Sequence, residues 1–235
     1  MKYPIDVFDN HVIIVNEKKR LLIDTGSPIS ISNGSEINIF QTTYEASDKY
    51  HGATIDEISG YVGCPLDALI GNNILQEHIF QIDFQNLLFS AWRKVPSDDI
   101  NLEEYIDVDF NGIPTIKIIV NPVNTLTNQN PIDSWLDTGA KISYLNKQYV
   151  QGLDPACIKE DFFPGFGKFE VPIYDLPINF NGKEIPFQFG ILPHSLELSN
   201  LSRSTQAIIG ADIFSYFTLT FNYADKKIYI SYVDD

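Results

Sequence analysis

Several familiar kinds of protein are excluded by what this chain lacks. It has two cysteines, Cys64 and Cys157, far apart and without Cys-x-x-Cys spacing, so they specify neither a disulfide framework nor a zinc site and read as buried thiols. Basic residues are scarce. With 16 Lys and Arg against 31 Asp and Glu the formal charge is −15, and a nucleic-acid backbone would be repelled over most of the surface. No segment approaches the ~20 uninterrupted apolar residues of a membrane span, and the start of the chain holds no signal-peptide core. A cytoplasmic protein with no nucleic-acid or membrane partner is the expectation. The four histidines, His11, His51, His78 and His194, form no i, i+4 pair and have no cysteine neighbour, so neither a metal nor another cofactor is expected. The Gly-x-Ser-x-Gly elbow of a serine hydrolase is also missing.

What remains is a globular composition, 44% apolar and 13% aromatic, sufficient for one domain or two small ones. Within it one pattern occurs twice. Asp-Thr-Gly appears in LLIDTGSPIS, starting at Leu21, and in SWLDTGAKIS, starting at Ser134, each time after apolar residues. Average residue usage puts such a triplet at roughly one in a few thousand positions, so two in this length point to a duplication. A second element follows each triplet: Ala68-Leu69-Ile70-Gly71 and Ala207-Ile208-Ile209-Gly210. The offset between copies grows from 101 at Ile5 and Ile106 to 113 at the triplets and 139 at the glycines. The second copy therefore carries insertions, one of them in the polar stretch from Asn121 to Pro131. After the glycines the match resumes, FQIDFQN from Phe80 against LTFNYAD from Leu219.

Most segments read as strands. HVIIV and RLLID flank the polar turn from Asn16 to Lys19, IDVDF and IPTIKIIV flank Asn111-Gly112, and LPINF and EIPFQFGIL flank Asn181-Gly182. Asn-Gly takes positive φ at little cost, which marks the last two as hairpins. Thirteen prolines and fourteen glycines limit long helices; brief ones are expected around Asn72 to Gln76 and Ala211 to Tyr216. The polar stretch from Lys94 to Glu104 places the boundary between an N-terminal lobe, 1–97, and a C-terminal lobe, 98–235.

A carboxylate after a run of apolar residues in a strand costs burial energy, and two of them in equivalent lobes invite a symmetric meeting across a cleft. Asp24 and Asp137 would then share one proton, because carboxylates a few ångströms apart cannot both ionise easily. One acid and one base would face the same water. Gly26 and Gly139 allow a sharp turn and leave backbone N–H groups free for the carboxylates. Thr25 and Thr138 can reach across the pseudo-two-fold axis.

On Asp24-Thr25-Gly26, Asp137-Thr138-Gly139 and the elements ending at Gly71 and Gly210, the chain resembles the aspartic peptidases, with pepsin-like lobes of retropepsin-like compactness. The resemblance implies an all-β, bilobal acid-protease fold, with two pseudo-symmetric barrel-like lobes around a cleft. It implies an aspartic endopeptidase acting on peptide or protein substrates through Asp24 and Asp137, supported by Thr25, Gly26, Ser27, Thr138 and Gly139. Both half-sites occur in one chain, so a monomer suffices, and no zymogen segment is expected before the first triplet. An inactive peptide-binding module on the same fold is the alternative.

In that family a hydroxyl residue after the glycine hydrogen-bonds the outer oxygen of the acid. Ser27 stands there in the first copy and Ala140 in the second, which implies that Asp24 is the better-stabilised anion and Asp137 the proton holder. The resemblance also implies a tyrosine-bearing flap over the cleft, with Tyr50 as the first-lobe candidate. The longer interval of the second copy holds DFFPGFGKFEV, and a hairpin bending at Phe163, Gly165, Phe166 and Gly167 is expected to supply the principal flap. Trp92 and Trp135 read as packing residues.

Overall fold

The computed structural model describes residues 1–96, 103–110, 112–121, 130–201 and 205–233. The expected lobe boundary at 97/98, residue Asn111 of the second expected turn and most of the polar insertion after Asn121 lie outside the described residues.

The first copy runs β1 (Lys2–Phe8), β2 (His11–Asn16), β3 (Lys19–Ile23), β4 (Ile31–Ser32), β5 (Glu36–Ile39), β6 (Thr42–Glu45), α1 (Ile55–Val62), β7 (Ala68–Ile70), α2 (Asn72–Leu75), β8 (Ile79–Asp83) and β9 (Leu88–Trp92). The second runs β10 (Tyr105–Asp107), β11 (Thr115–Val120), β12 (Ile132–Leu136), β13 (Tyr144–Leu145), β14 (Cys157–Phe163), β15 (Gly167–Asp175), β16 (Ile178–Phe180), β17 (Lys183–Ile185), β18 (Gln188–Gly190), α3 (His194–Asn200), β19 (Ala207–Ile209), β20 (Phe217–Asn222) and β21 (Lys227–Tyr232). Short 3-10 turns follow β13 at Lys147–Val150 and β19 at Ala211–Ser215.

Three sheets result. A ten-stranded sheet has the order β10-β21-β20-β8-β9-β1-β2-β3-β7-β4, a nine-stranded sheet β14-β15-β18-β13-β19-β12-β11-β16-β17, and β5 pairs with β6. In the first, β1, β8 and β9 from one copy meet β10, β20 and β21 from the other. The seam between them is antiparallel, with Phe80 opposite Phe221, Gln81 opposite Thr220 and Ile82 opposite Leu219. At the sequence offset of 139, Phe80 corresponds to Leu219 and Ile82 to Phe221, so a two-fold axis exchanges the two outer pairs and passes through Gln81 and Thr220. Gln81 Nε2 donates to Thr220 Oγ1 there at 3.0 Å. The Phe80 and Phe221 rings stack beside the axis with centroids 4.6 Å apart, a contact of the kind worth about 0.5–1.5 kcal/mol beyond area burial.

The hairpin between β2 and β3 turns on Glu17 and Lys18, and that between β16 and β17 on Asn181 and Gly182, all four at positive φ. The hairpin expected around Asn111-Gly112 is reduced to one bridge, Asp109 with Thr115, because β10 pairs with β21 instead. Helical turns follow both glycine elements as expected. Helix α1 was not anticipated, although Thr54 and Glu57 form a capping box at its start and Gly63 closes it at φ 87. The thiols are corrected in part: Cys64 is buried, but Cys157 is exposed at the start of β14, whose first four residues face solvent. Among the described residues no helix is long and apolar enough to cross a membrane.

Candidate active site

Each triplet ends a strand that is paired in parallel with its glycine element: Leu21, Leu22 and Ile23 lie opposite Ala68, Leu69 and Ile70, and Ser134, Trp135 and Leu136 opposite Ala207, Ile208 and Ile209. These strands are largely buried, which suits β-branched and aliphatic side chains without alternation. The backbone then repeats contact for contact. Asp24 N–H donates to Ile70 O at 3.0 Å and Asp137 N–H to Ile209 O at 2.8 Å; Asn72 N–H reaches Ser27 O at 2.8 Å and Ala211 N–H reaches Ala140 O at 2.9 Å. A side chain on Gly71 would collide with the Ile29 and Ser27 carbonyls, and one on Gly210 with that of Ala140. Glycine is therefore required where the crossing element passes behind each loop.

The loops interlock through the threonines, both fully buried. Thr25 Oγ1 accepts from Thr138 N–H at 3.0 Å and donates to Leu136 O at 2.6 Å. Thr138 Oγ1 accepts from Thr25 N–H at 3.0 Å and donates to Ile23 O at 2.8 Å. Both N–H groups and both hydroxyls of the pair are satisfied across the axis.

The two carboxyl groups are thereby brought face to face. A Cβ on Gly26 would run into the Asp137 carboxyl, and one on Gly139 into that of Asp24. Asp24 Oδ1 accepts the Gly26 and Ser27 N–H groups, both at 2.9 Å, while Asp137 Oδ1 accepts Gly139 N–H at 3.0 Å. Asp24 is held well above the usual carboxylate range, by burial first, then by the Asp137 charge and by its hydrogen bond to Asp137. Asp137 is also raised by burial, against the lowering effect of the Gly139 N–H and the Asp24 hydrogen bond. Two buried carboxyls at this range cannot both ionise easily, so the neutral form of one is favoured.

The Ser27 hydroxyl does not make the contact with Asp24 that the resemblance implies. It donates to Ile29 O at 2.7 Å, and the residue supports Asp24 through its backbone N–H instead. Tyr50 lies close to the same group, its phenol pushed upward by burial and then by the Asp24 and Asp137 charges. Tyr50 sits on a tight turn, paired with Ala53 across His51 and Gly52 at φ 48 and 84.

A cavity of about 320 Å³ opens on the dyad. Its floor is duplicated: Leu22 and Leu69 on one side, Trp135 and Ile208 on the other, each couple being register partners. Trp135 is thus a cleft residue as well as a packing one. The cavity is also lined by Asp161 to Pro164 and Phe169 of the β14–β15 hairpin, which is paired from Cys157 with Ile173 to Phe163 with Gly167. Gly165 and Gly167 have φ of 77 and 92, and a side chain on Gly165 would strike His51 O. Phe163 lines the cavity and its ring lies 5.5 Å from that of His51, whereas Phe166 is 48% exposed and packs edge-on against Phe169. Phe162, not singled out from sequence, also lines the cavity and stacks on Tyr61 of the opposite lobe at 5.1 Å.

Other contributors were also missed. Ser30 Oγ accepts Gly71 N–H at 2.8 Å and donates to Asn73 Oδ1 at 2.8 Å; Ser143 Oγ accepts Gly210 N–H at 2.8 Å and donates to Asp212 Oδ1 at 2.6 Å. The signal was present, since both copies place Ile-Ser at the same distance after the triplet. Asn72 joins the lobes, donating to Thr25 O at 2.6 Å and Gly112 O at 3.0 Å and accepting from the Tyr223 hydroxyl at 2.6 Å. No cluster of three His, Cys, Asp or Glu side chains among the described residues is arranged to hold a metal ion.

No protein-family model matches the chain, and no curated protein matches it in sequence. Among solved structures it is similar to the aspartic proteinase from Irpex lacteus, at 9% identity and a TM-score of 0.55, over 100% of this chain and 97% of that one. It is also similar to the Simian Foamy Virus (mac) protease, at 10% identity and a TM-score of 0.30, over 42% of this chain and 88% of that one. The first likeness spans both halves, and the fold is the bilobal all-β fold of a pepsin-like aspartic proteinase.

Proposed function

We propose that the chain is an aspartic endopeptidase that hydrolyses peptide bonds by activating a water between Asp24 and Asp137. The observation that carries this reading is the dyad itself: two buried carboxyls from equivalent loops, each lying over the other loop's glycine and each pushed toward its protonated form. In the proposed reaction the ionised member of the dyad removes a proton from water as it attacks the scissile carbonyl. Its protonated partner donates to the carbonyl oxygen, and no covalent enzyme intermediate forms. The Gly26, Ser27 and Gly139 N–H groups keep the carboxyls fixed through the exchange.

The paired apolar floors support a substrate extended through the cleft with an apolar side chain on each side of the cut, an aliphatic wall receiving one and the Trp135 wall the other. The β14–β15 hairpin, with Phe163 at its inner face, is the proposed main flap, and Tyr50 on its short turn faces it from the first lobe. A monomer is proposed because both half-sites lie in one chain, and a reducing, cytoplasmic setting suits two unpaired cysteines.

The test is cleavage of a peptide library by the purified chain, its inhibition by pepstatin, and its loss in Asp24→Asn and Asp137→Asn. Peptide binding without cleavage by the wild-type chain would instead make it a non-catalytic module.

A further inference from the structure

Strand β14 breaks its own pattern at one position. Cys157, Ile158, Lys159 and Glu160 are all exposed, yet the next residue, an acid, is buried: Asp161 is 6% exposed. Its carboxylate accepts its neighbour Phe162 N–H at 2.8 Å and the hydroxyl of Tyr144. Tyr144 is rooted in the second lobe's central strands, where β13 pairs with Ile208 of β19 and Gly190 of β18. Both residues line the dyad cavity, and the Tyr144 hydroxyl feels the Asp137 charge.

We propose that the Tyr144–Asp161 hydrogen bond is the catch that holds the second-lobe hairpin over the dyad, making both of them positioning residues for substrate binding. The hairpin is tied to its lobe at the base by the β15–β18 ladder at Ile173, Tyr174 and Asp175. Strand β14 is an edge strand paired with β15 alone. Toward the tip the remaining contacts are apolar or steric: Phe163 and Phe169 pack on the second lobe's own core, while Phe162 meets Tyr61 and His11, and Phe163 and Gly165 meet His51, of the first lobe. Among the described residues, two side-chain hydrogen bonds join β14 to the body of its own lobe. Lys159 to Gln188 is exposed; Asp161 to Tyr144 is buried and stands at the level of the cleft.

If only packing were needed there, an apolar pair would serve at lower cost than a buried acid. Lys141, the cation nearest in effect, already bonds Asp9 at 2.8 Å. The acid is best explained by the strength and direction of a charge-assisted bond to one hydroxyl, which fixes where the arm lies when Phe162 and Phe163 meet the substrate.

The activity arm of the test rests on the endopeptidase reading; the exchange arm does not. In the full chain, Tyr144→Phe and Asp161→Leu are expected to speed amide hydrogen exchange across residues 160–169 by about tenfold or more. Protection of β12 and β19 should hold. Peptide KM should rise by about tenfold with kcat changed less. Asp161→Asn, which keeps an acceptor for the tyrosine but not the charge, should restore both in part. Hairpin exchange within about twofold of wild type, equal loss of protection in β12 and β19, or an Asn variant no better than Leu would each overturn the catch. A wild-type chain without turnover would sink the endopeptidase reading and leave exchange to decide the catch.

Discussion

Thr25 and Thr138 exchange hydrogen bonds in both directions, each hydroxyl accepting the other's N–H at 3.0 Å and donating to the strand end beyond it. Neither Asp-Thr-Gly loop is therefore complete without the other lobe. We predict that Thr25→Ala or Thr138→Ala, by leaving a buried N–H and a buried carbonyl unpaired, lowers unfolding free energy by roughly 2–4 kcal/mol. The double variant should lose less than the sum, because loosening one grip lets the axial contact relax and leaves the other grip less to contribute. Urea denaturation of the three variants checks this; strict additivity would mean that the two grips act independently.

Replacing either dyad acid should separate activity from stability. Both carboxyls have pKa values raised in the folded chain, so the folded state binds more protons than the unfolded one above the ordinary carboxylate range. The sign follows: the cost of keeping the pair grows as pH rises through that window. Asp24→Asn and Asp137→Asn should melt above wild type at neutral pH, with the gap closing in acid. Peptide turnover should fall by roughly 10²–10⁴-fold in each. A wild-type pH–rate profile should keep its alkaline limb above the usual carboxylate range. Variants that melt lower at neutral pH would contradict the shared-proton description.

The hairpin tip should matter to substrate and little to the fold. Its bend is a three-residue loop from Pro164 to Phe166, and Phe166 is turned to solvent. We predict that deleting residues 165–167 raises peptide KM or lowers kcat by about tenfold or more while Tm moves by only a few degrees. Parallel loss of both would make the segment a structural loop.

How much of this was legible follows from what kind of information each feature needs. The dyad, the duplicated halves and the equivalence of Gln81 and Thr220 come from the repeat, because an offset is a property of sequence alone; that these two residues pair on the axis does not. The direction of the Ser27 hydroxyl does not, since the nearby Ile29 carbonyl decides it. The flap hairpin was marked by Pro164, Gly165 and Gly167, but which phenylalanine enters the cavity depends on the register, Phe163 opposite Gly167, and that is fixed only on folding. Asp161 reads as one more surface acid among exposed neighbours; its burial comes from Tyr144, seventeen residues earlier. Helix α1 was readable from Thr54 and Glu57, yet the strand-rich context masked it.

The two copies differ behind their loops by one ionisable group, which gives an internal control. Ser30 donates to the amide of Asn73, and its counterpart Ser143 donates to the carboxylate of Asp212. Asp212 is pushed up to about 7, chiefly by burial, against the Ser143 hydrogen bond. Its unfolded pKa is near 4, so between roughly pH 4 and 7 the folded chain retains a proton that the unfolded chain has lost, and stability drains away as pH rises through that interval. Asp212→Asn copies the first lobe's arrangement and cannot ionise. We predict equal Tm for wild type and variant in acid, a gap in favour of the variant that opens between about pH 4 and 7, and a constant gap above it. Asn73→Asp should import the same pH dependence into the first lobe. Identical pH–Tm curves for wild type and Asp212→Asn would show that the carboxyl is hydrated enough to ionise without cost.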